Sequence, residues 1–176
     1  MDMLQESDPL DIVALHASAM HNVDCAVIFL GPSGTGKSTI YRLLSPYMQP
    51  LSTDAVYLVP QRSGGWNVVW GDGRIHSEIM VSCEEADALP HAPLRAVVRL
   101  YQAVEPRLEN IDALLLCRYL TDAFFEVTWQ RELPFAVKRR TFANLAKIAH
   151  SFPGYVFHFD LSFRTPEMLN EHMRLW

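Results

Sequence analysis

The chain has 176 residues, of which 49% are apolar and 20% are charged, a size and balance typical of a folded domain rather than a disordered segment. Twenty acidic residues against fifteen Lys and Arg give a net charge of −5, which argues against binding of nucleic acid or anionic membranes by the surface as a whole. The longest apolar run, residues 25–30, is far shorter than the roughly twenty residues needed to cross a bilayer.

The cysteines and the start of the chain bear on its location. Cys25, Cys83 and Cys117 show no metal-binding or redox spacing, and their odd number fits a reducing compartment. The chain does not open with a basic segment followed by an apolar stretch, so no signal peptide is expected. We therefore expect a cytoplasmic protein with a flexible, polar segment over residues 1–9 and a single domain over residues 10–176.

Hydrophobic patterning predicts mainly strands in the first part of the chain and helices in the second. The turn residues 21–24 predict that the first two strands pair antiparallel. The helix between residues 30 and 51 predicts that the chain returns beside the strand before the loop, parallel or nearly parallel to it, so the central sheet should be mixed. In chain order, the predicted strands are 11–20, 25–30, 51–59, 66–70, 94–102 (with a helix as the alternative) and 155–159, and the predicted helices are 37–45, 111–125, 134–152 and a short one after Pro166.

A glycine-rich segment, residues 31–38 and called the glycine loop below, matches the pattern G-x-x-x-x-G-K-S/T of a P-loop. Glycines let successive backbone N–H groups point inward at an anion, and the following helix adds the partial positive charge of its N-terminus. A strand before the loop and an amphipathic helix after it favour binding of ATP or GTP over a chance turn. The predicted nucleotide-binding residues are Gly31, Pro32, Ser33, Gly34, Thr35, Gly36, Lys37, Ser38 and Thr39.

Three residues are candidate ligands of the Mg²⁺ that accompanies a nucleotide. The hydroxyl of Ser38 stands at the P-loop position that contacts the metal. Asp54 follows the loop by about one helix and is the candidate carboxylate, with a turn residue as the alternative. Glu78 is a further candidate, with a solvated charge at the end of a strand as its alternative, whereas Asp72 between two glycines favours a β-turn.

Several segments, in order, resemble one known family. Residues 15–18 (Leu-His-Ala-Ser), 26–30, 31–39 and 51–56 resemble the C-terminal domain of HPr serine kinase/phosphorylase and its smaller HPr-kinase-like relatives. The resemblance runs from about residue 10 to residue 59 and continues more weakly through residues 70–78 and 154–159. The His-Ala-Ser sequence before the loop is its most specific element.

The resemblance implies an α/β fold with a mixed central sheet, a P-loop and C-terminal helices, related to the folds of HPr kinase and phosphoenolpyruvate carboxykinase. It also implies an enzyme that uses ATP and Mg²⁺ to phosphorylate a serine hydroxyl. By position, it implies phosphate binding by residues 31–39, Mg²⁺ binding by Ser38, and a role for Asp54 as the second residue of the family's Asp-Asp pair. His16 matches the histidine of the strand before the loop.

The sequence departs from the family pattern at three places. Thr53 stands where the family has the first Asp of the pair, and Thr39 matches the smaller relatives rather than HPr kinases proper, which carry Glu. The sequence also contains neither the N-terminal domain of HPr kinase nor its glycine- and arginine-rich C-terminal signature. HPr is therefore a poor candidate acceptor. A peptide hydroxyl is a better one, because some small relatives belong to pathways that modify ribosomally made peptides.

The residues described above are compatible with more than one function. The leading interpretation is a serine kinase with Asp54, Lys37 and His16 as catalytic residues, although His16 could equally be a core histidine. The alternative is a nucleotide-binding regulatory or assembly protein with weak or no catalysis, which Thr53 favours; a small-molecule kinase ranks third because no arginine-rich lid is recognisable. The expected partners are a nucleotide and a peptide or protein acceptor with a serine hydroxyl, without nucleic acid or membrane, and a homo-oligomer is left open.

Overall fold

A computed structural model describes residues 12–61, 64–70, 90–128 and 132–175, which form an α/β structure with one curled, mixed sheet. The predicted flexible segment 1–9 lies outside these ranges. The strands are β1 (Val13–His16), β2 (Ser18–His21), β3 (Ala26–Leu30), β4 (Gln49–Ser52), β5 (Ala55–Pro60), β6 (Trp66–Trp70), β7 (His91–Gln102), β8 (Arg107–Ile111) and β9 (Gly154–Phe159), and the helices are α1 (Lys37–Leu44), α2 (Ala113–Thr128), α3 (Phe135–Ser151) and α4 (Glu167–Met173).

The sheet has the order β1-β5-β6-β7-β3-β2-β4, with β9 beside the second half of β7 and β8 beside β9. The pairs β3–β7 and β7–β9 are parallel and the other pairs are antiparallel. The hairpin between β2 and β3 is closed by Asn22, whose side-chain oxygen accepts hydrogen bonds from the N–H groups of Asp24 and Cys25. The expected mixed sheet and antiparallel first hairpin are thus confirmed.

Two predicted strands are each divided in the structure. The segment predicted as one strand over 11–20 is divided at Ala17, so that β1 pairs with β5 while β2 pairs with β3 and β4. The segment predicted as one strand over 51–59 is divided at residues 53–54 between β4 and β5. The two breaks face each other, because the Ala17 N–H donates to the Asp54 carbonyl at 3.1 Å.

The strand that follows α1 does not return beside β3, so that prediction is wrong. The hairpin strand β2 already occupies this edge of β3, and β4 pairs antiparallel with β2. As a result, β4 runs parallel to β3 but lies one strand away. The parallel neighbour of β3 is β7, which comes much later in the chain.

The structure also corrects the start of the second helix. Residue Ile111 ends β8, a polar and largely exposed strand that the hydrophobic pattern did not predict. Helix α2 begins at Ala113 because Asp112 caps it, its carboxylate accepting a hydrogen bond from the Leu115 N–H at 2.8 Å. No helix in the described ranges is long and apolar enough to span a membrane.

The core lies on both faces of the sheet, and β3 contributes to each. Ala26, Ile28 and Leu30 belong to the cluster covered by α2 and α3, whereas Val27 and Phe29 belong to the cluster covered by α1 and α4. A strand that is buried on both faces has an unbroken apolar sequence rather than an alternating one. The end of β3, from which the glycine loop emerges, is therefore held rigidly between two helical layers.

Replacement of Phe157 tests the core beside the loop. Phe157 is fully buried, with its ring stacked on that of Phe159 at 5.0 Å and edge to face with that of Phe163 at 5.1 Å. We expect Phe157→Ala to lower the free energy of unfolding by about 3–5 kcal/mol, because it leaves a cavity. Phe135→Ala is the control, since that ring is 80% exposed, and should change stability by less than about 0.5 kcal/mol in urea titrations. Equal losses of stability in the two variants would contradict this placement of the core.

Candidate functional site

The glycine loop joins the end of β3 to the start of α1, as the sequence predicts. Gly34 and Gly36 adopt φ values of 85° and 101°, a region that side chains disfavour. A Cβ atom on Gly36 would also lie 2.6 Å from the Phe159 ring. The loop is braced by Thr35, whose hydroxyl donates to the Pro32 carbonyl at 2.8 Å, and by Gln102 on β7, whose amide donates to the Gly34 carbonyl at 2.5 Å.

Several backbone N–H groups of the loop are unused as hydrogen-bond donors. Within the described residues, the backbone N–H groups of Gly34, Gly36, Lys37 and Ser38 donate to no carbonyl or side chain. The first turn of α1 contains no acidic residue, and its N-cap Gly36 makes no side-chain cap, so the positive end of the helix dipole is not neutralised locally. Unused N–H donors at the start of a helix, next to the positive end of its dipole, are an arrangement that binds anions.

Lys37 lies within this loop. Its ammonium donates to the carbonyl of Gly31 at 2.5 Å and to that of Pro32 at 3.2 Å. Burial lowers the pKa of Lys37, the carboxylates of Glu126 and Asp54 act in the opposite direction, and the charge of Arg99 lowers it further. Lys37 is therefore within electrostatic range of two carboxylates and one other cation.

The two carboxylates that act on the pKa of Lys37 both lie next to one histidine. His16 ends β1, opposite Ala55 at the start of β5, and its Nδ1 lies 3.5 Å from Oδ1 of Asp54. On the other side of the ring, Nε2 lies 3.9 Å from Oε2 of Glu126, near the end of α2. The side chain of His16 is 27% exposed and that of Asp54 is 74% exposed, so the imidazole is sheltered and the carboxylate is open to an incoming molecule.

The turn that carries Asp54 is fixed by contacts from β2, from Ala17 and from α1. The Ser18 hydroxyl donates to the Thr53 carbonyl at 3.0 Å, next to the backbone hydrogen bond between Ala17 and Asp54. From α1, the Tyr41 hydroxyl lies 2.6 Å from the Ala19 carbonyl and also contacts the Ser52 carbonyl. The turn and α1 therefore form one rigid unit, in which the position of Asp54 is linked to that of the glycine loop.

The structure thus brings together three of the residues that the sequence selected, namely Lys37, His16 and Asp54. Ser38 is exposed and Thr39 is buried at the start of α1. Glu78 and Asp72 lie outside the described residues. In those that are described, no three His, Cys, Asp or Glu side chains form a group that could hold a metal ion.

Two residues at this site were missed by the sequence reasoning. Glu126 lies on α2, where no motif marks it. Arg99 lies on β7 and is paired with Leu30, the last residue of β3. A cation in the otherwise apolar stretch from Ala96 to Leu100 is the one sequence signal that could have drawn attention to it.

Comparison with known proteins gives a similarity to a solved structure and none to a sequence family. No protein-family model matches the chain, and no curated protein matches it. The structure of the HPr(Ser) kinase/phosphatase from Coxiella burnetii matches with a TM-score of 0.49 and 10% sequence identity, over 92% of this chain and 88% of that chain.

Removal of the Tyr41 hydroxyl tests the link between α1 and the Asp54 turn. We expect Tyr41→Phe to lower the free energy of unfolding by about 1–2 kcal/mol at neutral pH, because the part-buried carbonyls of Ala19 and Ser52 lose the hydroxyl that they share. Burial raises the pKa of Tyr41 to about 12 from 10.0. The difference in unfolding free energy between parent and variant should therefore be largest below pH 10 and shrink as the pH rises towards 12.

Urea titrations of both proteins at neutral pH and at about pH 11 measure this difference. Tyr155→Phe is the matched control, because its hydroxyl makes a single, longer contact of 3.4 Å with the His172 carbonyl. A loss no greater than that of the control would show that Tyr41 does not fix the turn.

Proposed function

We propose that this protein binds ATP or GTP with Mg²⁺ at the glycine loop and transfers the γ-phosphoryl group to a hydroxyl, with serine of a peptide or protein as the acceptor. The observation that carries the proposal is the joint placement of two features. One is the loop with its four unused N–H donors and Lys37. The other is the His16–Asp54 pair, within electrostatic range of that lysine.

In this proposal the backbone donors of the loop hold the inner phosphates, and Lys37 exchanges its contacts with Gly31 and Pro32 for oxygens of the β- and γ-phosphates. Apart from Lys37 and Ser38, the side chains of residues 31–39 contribute little to phosphate binding in this proposal, and most of them are small. The charge that develops on the transferred group is stabilised by Lys37 and by the N-terminus of α1.

Asp54 is the proposed general base. It accepts the proton of the acceptor hydroxyl as the oxygen–phosphorus bond forms, while the bond between the γ-phosphorus and its bridging oxygen breaks and the nucleoside diphosphate leaves. His16 is a positioning residue in this scheme, because it lies between Asp54 and Glu126 and limits the orientations of the aspartate. The exposure of Asp54 gives an acceptor direct access to it.

A bound Mg²⁺ would neutralise charge on the outer phosphates. Ser38 and Asp54 are the proposed protein ligands, and two are sufficient because Mg²⁺ takes its other ligands from phosphate and water. Glu78 remains a proposed ligand on sequence grounds.

A nucleotide-binding regulatory or assembly protein is the second candidate. The observation that favours it is Thr53, which leaves Asp54 as the sole carboxylate of its turn. A single carboxylate must then serve both the metal and the acceptor hydroxyl. Such a protein would bind nucleotide in the same way and show little or no transfer.

Replacement of Lys37 tests nucleotide binding. We expect Lys37→Ala to weaken binding of ATP in the presence of Mg²⁺ at least several-fold, because a charge-assisted contact to the phosphates is lost. Isothermal titration calorimetry measures the affinity, with Lys147→Ala on the exposed side of α3 as the control for loss of one lysine. An unchanged affinity in a folded Lys37→Ala protein would exclude the loop as the nucleotide site.

Replacement of Asp54 distinguishes the two candidate functions. Asp54→Asn keeps the shape of the side chain and removes its charge, so phosphoryl transfer should fall about 10²- to 10⁴-fold. Nucleotide binding in EDTA should persist or tighten slightly, since a carboxylate beside a triphosphate is repulsive without a metal.

Single-turnover transfer from γ-labelled ATP to a mixture of serine-containing peptides is the measurement. Asp122→Asn, on an exposed part of α2, is the matched control. Full transfer by Asp54→Asn would place the base elsewhere, with Glu78 or His16 as the next residue to replace. Absence of transfer by the parent, with nucleotide bound, would favour the regulatory function.

A further inference from the structure

Arg99 occupies a distinctive place beside the glycine loop. It lies on β7 in register with Leu30, the residue after which β3 ends and the loop begins. Strand β7 continues past this point, and its last residue, Gln102, bonds to the Gly34 carbonyl. The strand therefore runs along the loop, and Arg99 stands at the place where the loop leaves the sheet.

The guanidinium of Arg99 is held by aromatic rings. Its central carbon lies 5.6 Å from the centre of the Tyr101 ring and 5.3 Å from that of the Tyr119 ring. Tyr101 in turn stacks on the ring of His158, with the ring centres 5.6 Å apart. Contacts of this kind orient a guanidinium without neutralising its charge.

Among the described residues, no acidic side chain pairs with this guanidinium. Arg99 forms no ion pair with any residue in the described ranges, and its buried Nε atom has no hydrogen-bond partner. A half-buried, unpaired cation is unfavourable for folding. Its proximity to Lys37, whose pKa it helps to lower, adds repulsion between like charges. Two cations arranged in this way are suited to a ligand that carries more than one negative charge.

We propose that Arg99 binds the terminal phosphoryl group of the nucleotide, which makes it a specificity residue for triphosphate over diphosphate. This inference rests on the proposed function and deepens it. In the proposed function, the N–H groups of the loop bind the inner phosphates. The terminal phosphoryl group is then the one available to a side chain from the neighbouring strand. The planar guanidinium matches phosphate oxygens in a two-point contact, and its fixed orientation lets it stabilise charge during transfer without reorganisation.

The test compares the affinities of Mg²⁺-ATP and Mg²⁺-ADP by calorimetry in the parent, Arg99→Gln and Arg99→Lys. Arg99→Gln should weaken ATP binding by about 10- to 100-fold, as expected for loss of a charge-assisted pair, while ADP affinity changes by less than about threefold. Arg99→Lys should lie between the parent and Arg99→Gln, because it keeps the charge and loses the planar fork. The control is Arg95→Gln, an exposed arginine of the same strand, which should leave both affinities unchanged.

The outcomes separate this inference from the proposed function. A parent that binds neither nucleotide overturns both. A parent that binds ATP through Lys37, with an ATP-to-ADP affinity ratio that Arg99→Gln leaves unchanged, overturns the role of Arg99 alone. Equal losses for ATP and ADP also overturn it, because a merely structural arginine would reduce both. If Arg99→Gln does not fold, a lower affinity ratio in folded Arg99→Lys supports the inference and an unchanged ratio overturns it.

Discussion

The hydrogen bond between the Ala17 N–H and the Asp54 carbonyl is the constraint on which the site depends. It joins the break between β1 and β2 to the turn between β4 and β5, at the point where each chain segment changes its strand partner. Because the two breaks are fixed to each other, the end of β1, which carries His16, lies next to the turn that carries Asp54. Together with the pairing of β1 and β5, which sets His16 opposite Ala55, this contact brings together a histidine and an aspartate that are distant in sequence.

Local sequence determines part of the site and long-range pairing determines the rest. The glycine loop could be predicted because its glycines, the apolar strand before it and the amphipathic helix after it are contiguous, and each acts through short-range sterics and hydrogen bonding. Asp54 was found from its spacing after the loop and His16 by resemblance to a family motif. Arg99 and Glu126 escaped prediction because they enter from β7 and α2, whose positions follow from strand pairing that no local pattern encodes.

Long-range strand pairing also accounts for the errors in the predicted sheet. Hydrophobic pattern shows that a segment is buried, but it does not show which neighbour covers each edge. The β2–β3 hairpin fills one edge of β3 by a short local turn, so the strand after α1 is displaced to the far side of β2. β8 was missed for a different reason: its residues are mostly polar, and only its backbone bonds to β9 reveal it.

The pairing of β3 with β7 has a consequence for the order in which the protein folds. The motif that marks the glycine loop is complete by residue 38, yet the strand that flanks and braces the loop ends at Gln102. Contacts between distant parts of a chain form slowly, because the intervening segment must lose much of its conformational entropy first. A nascent chain that has emerged only through β6 carries the full motif without its brace, so the loop reaches its final geometry late in folding.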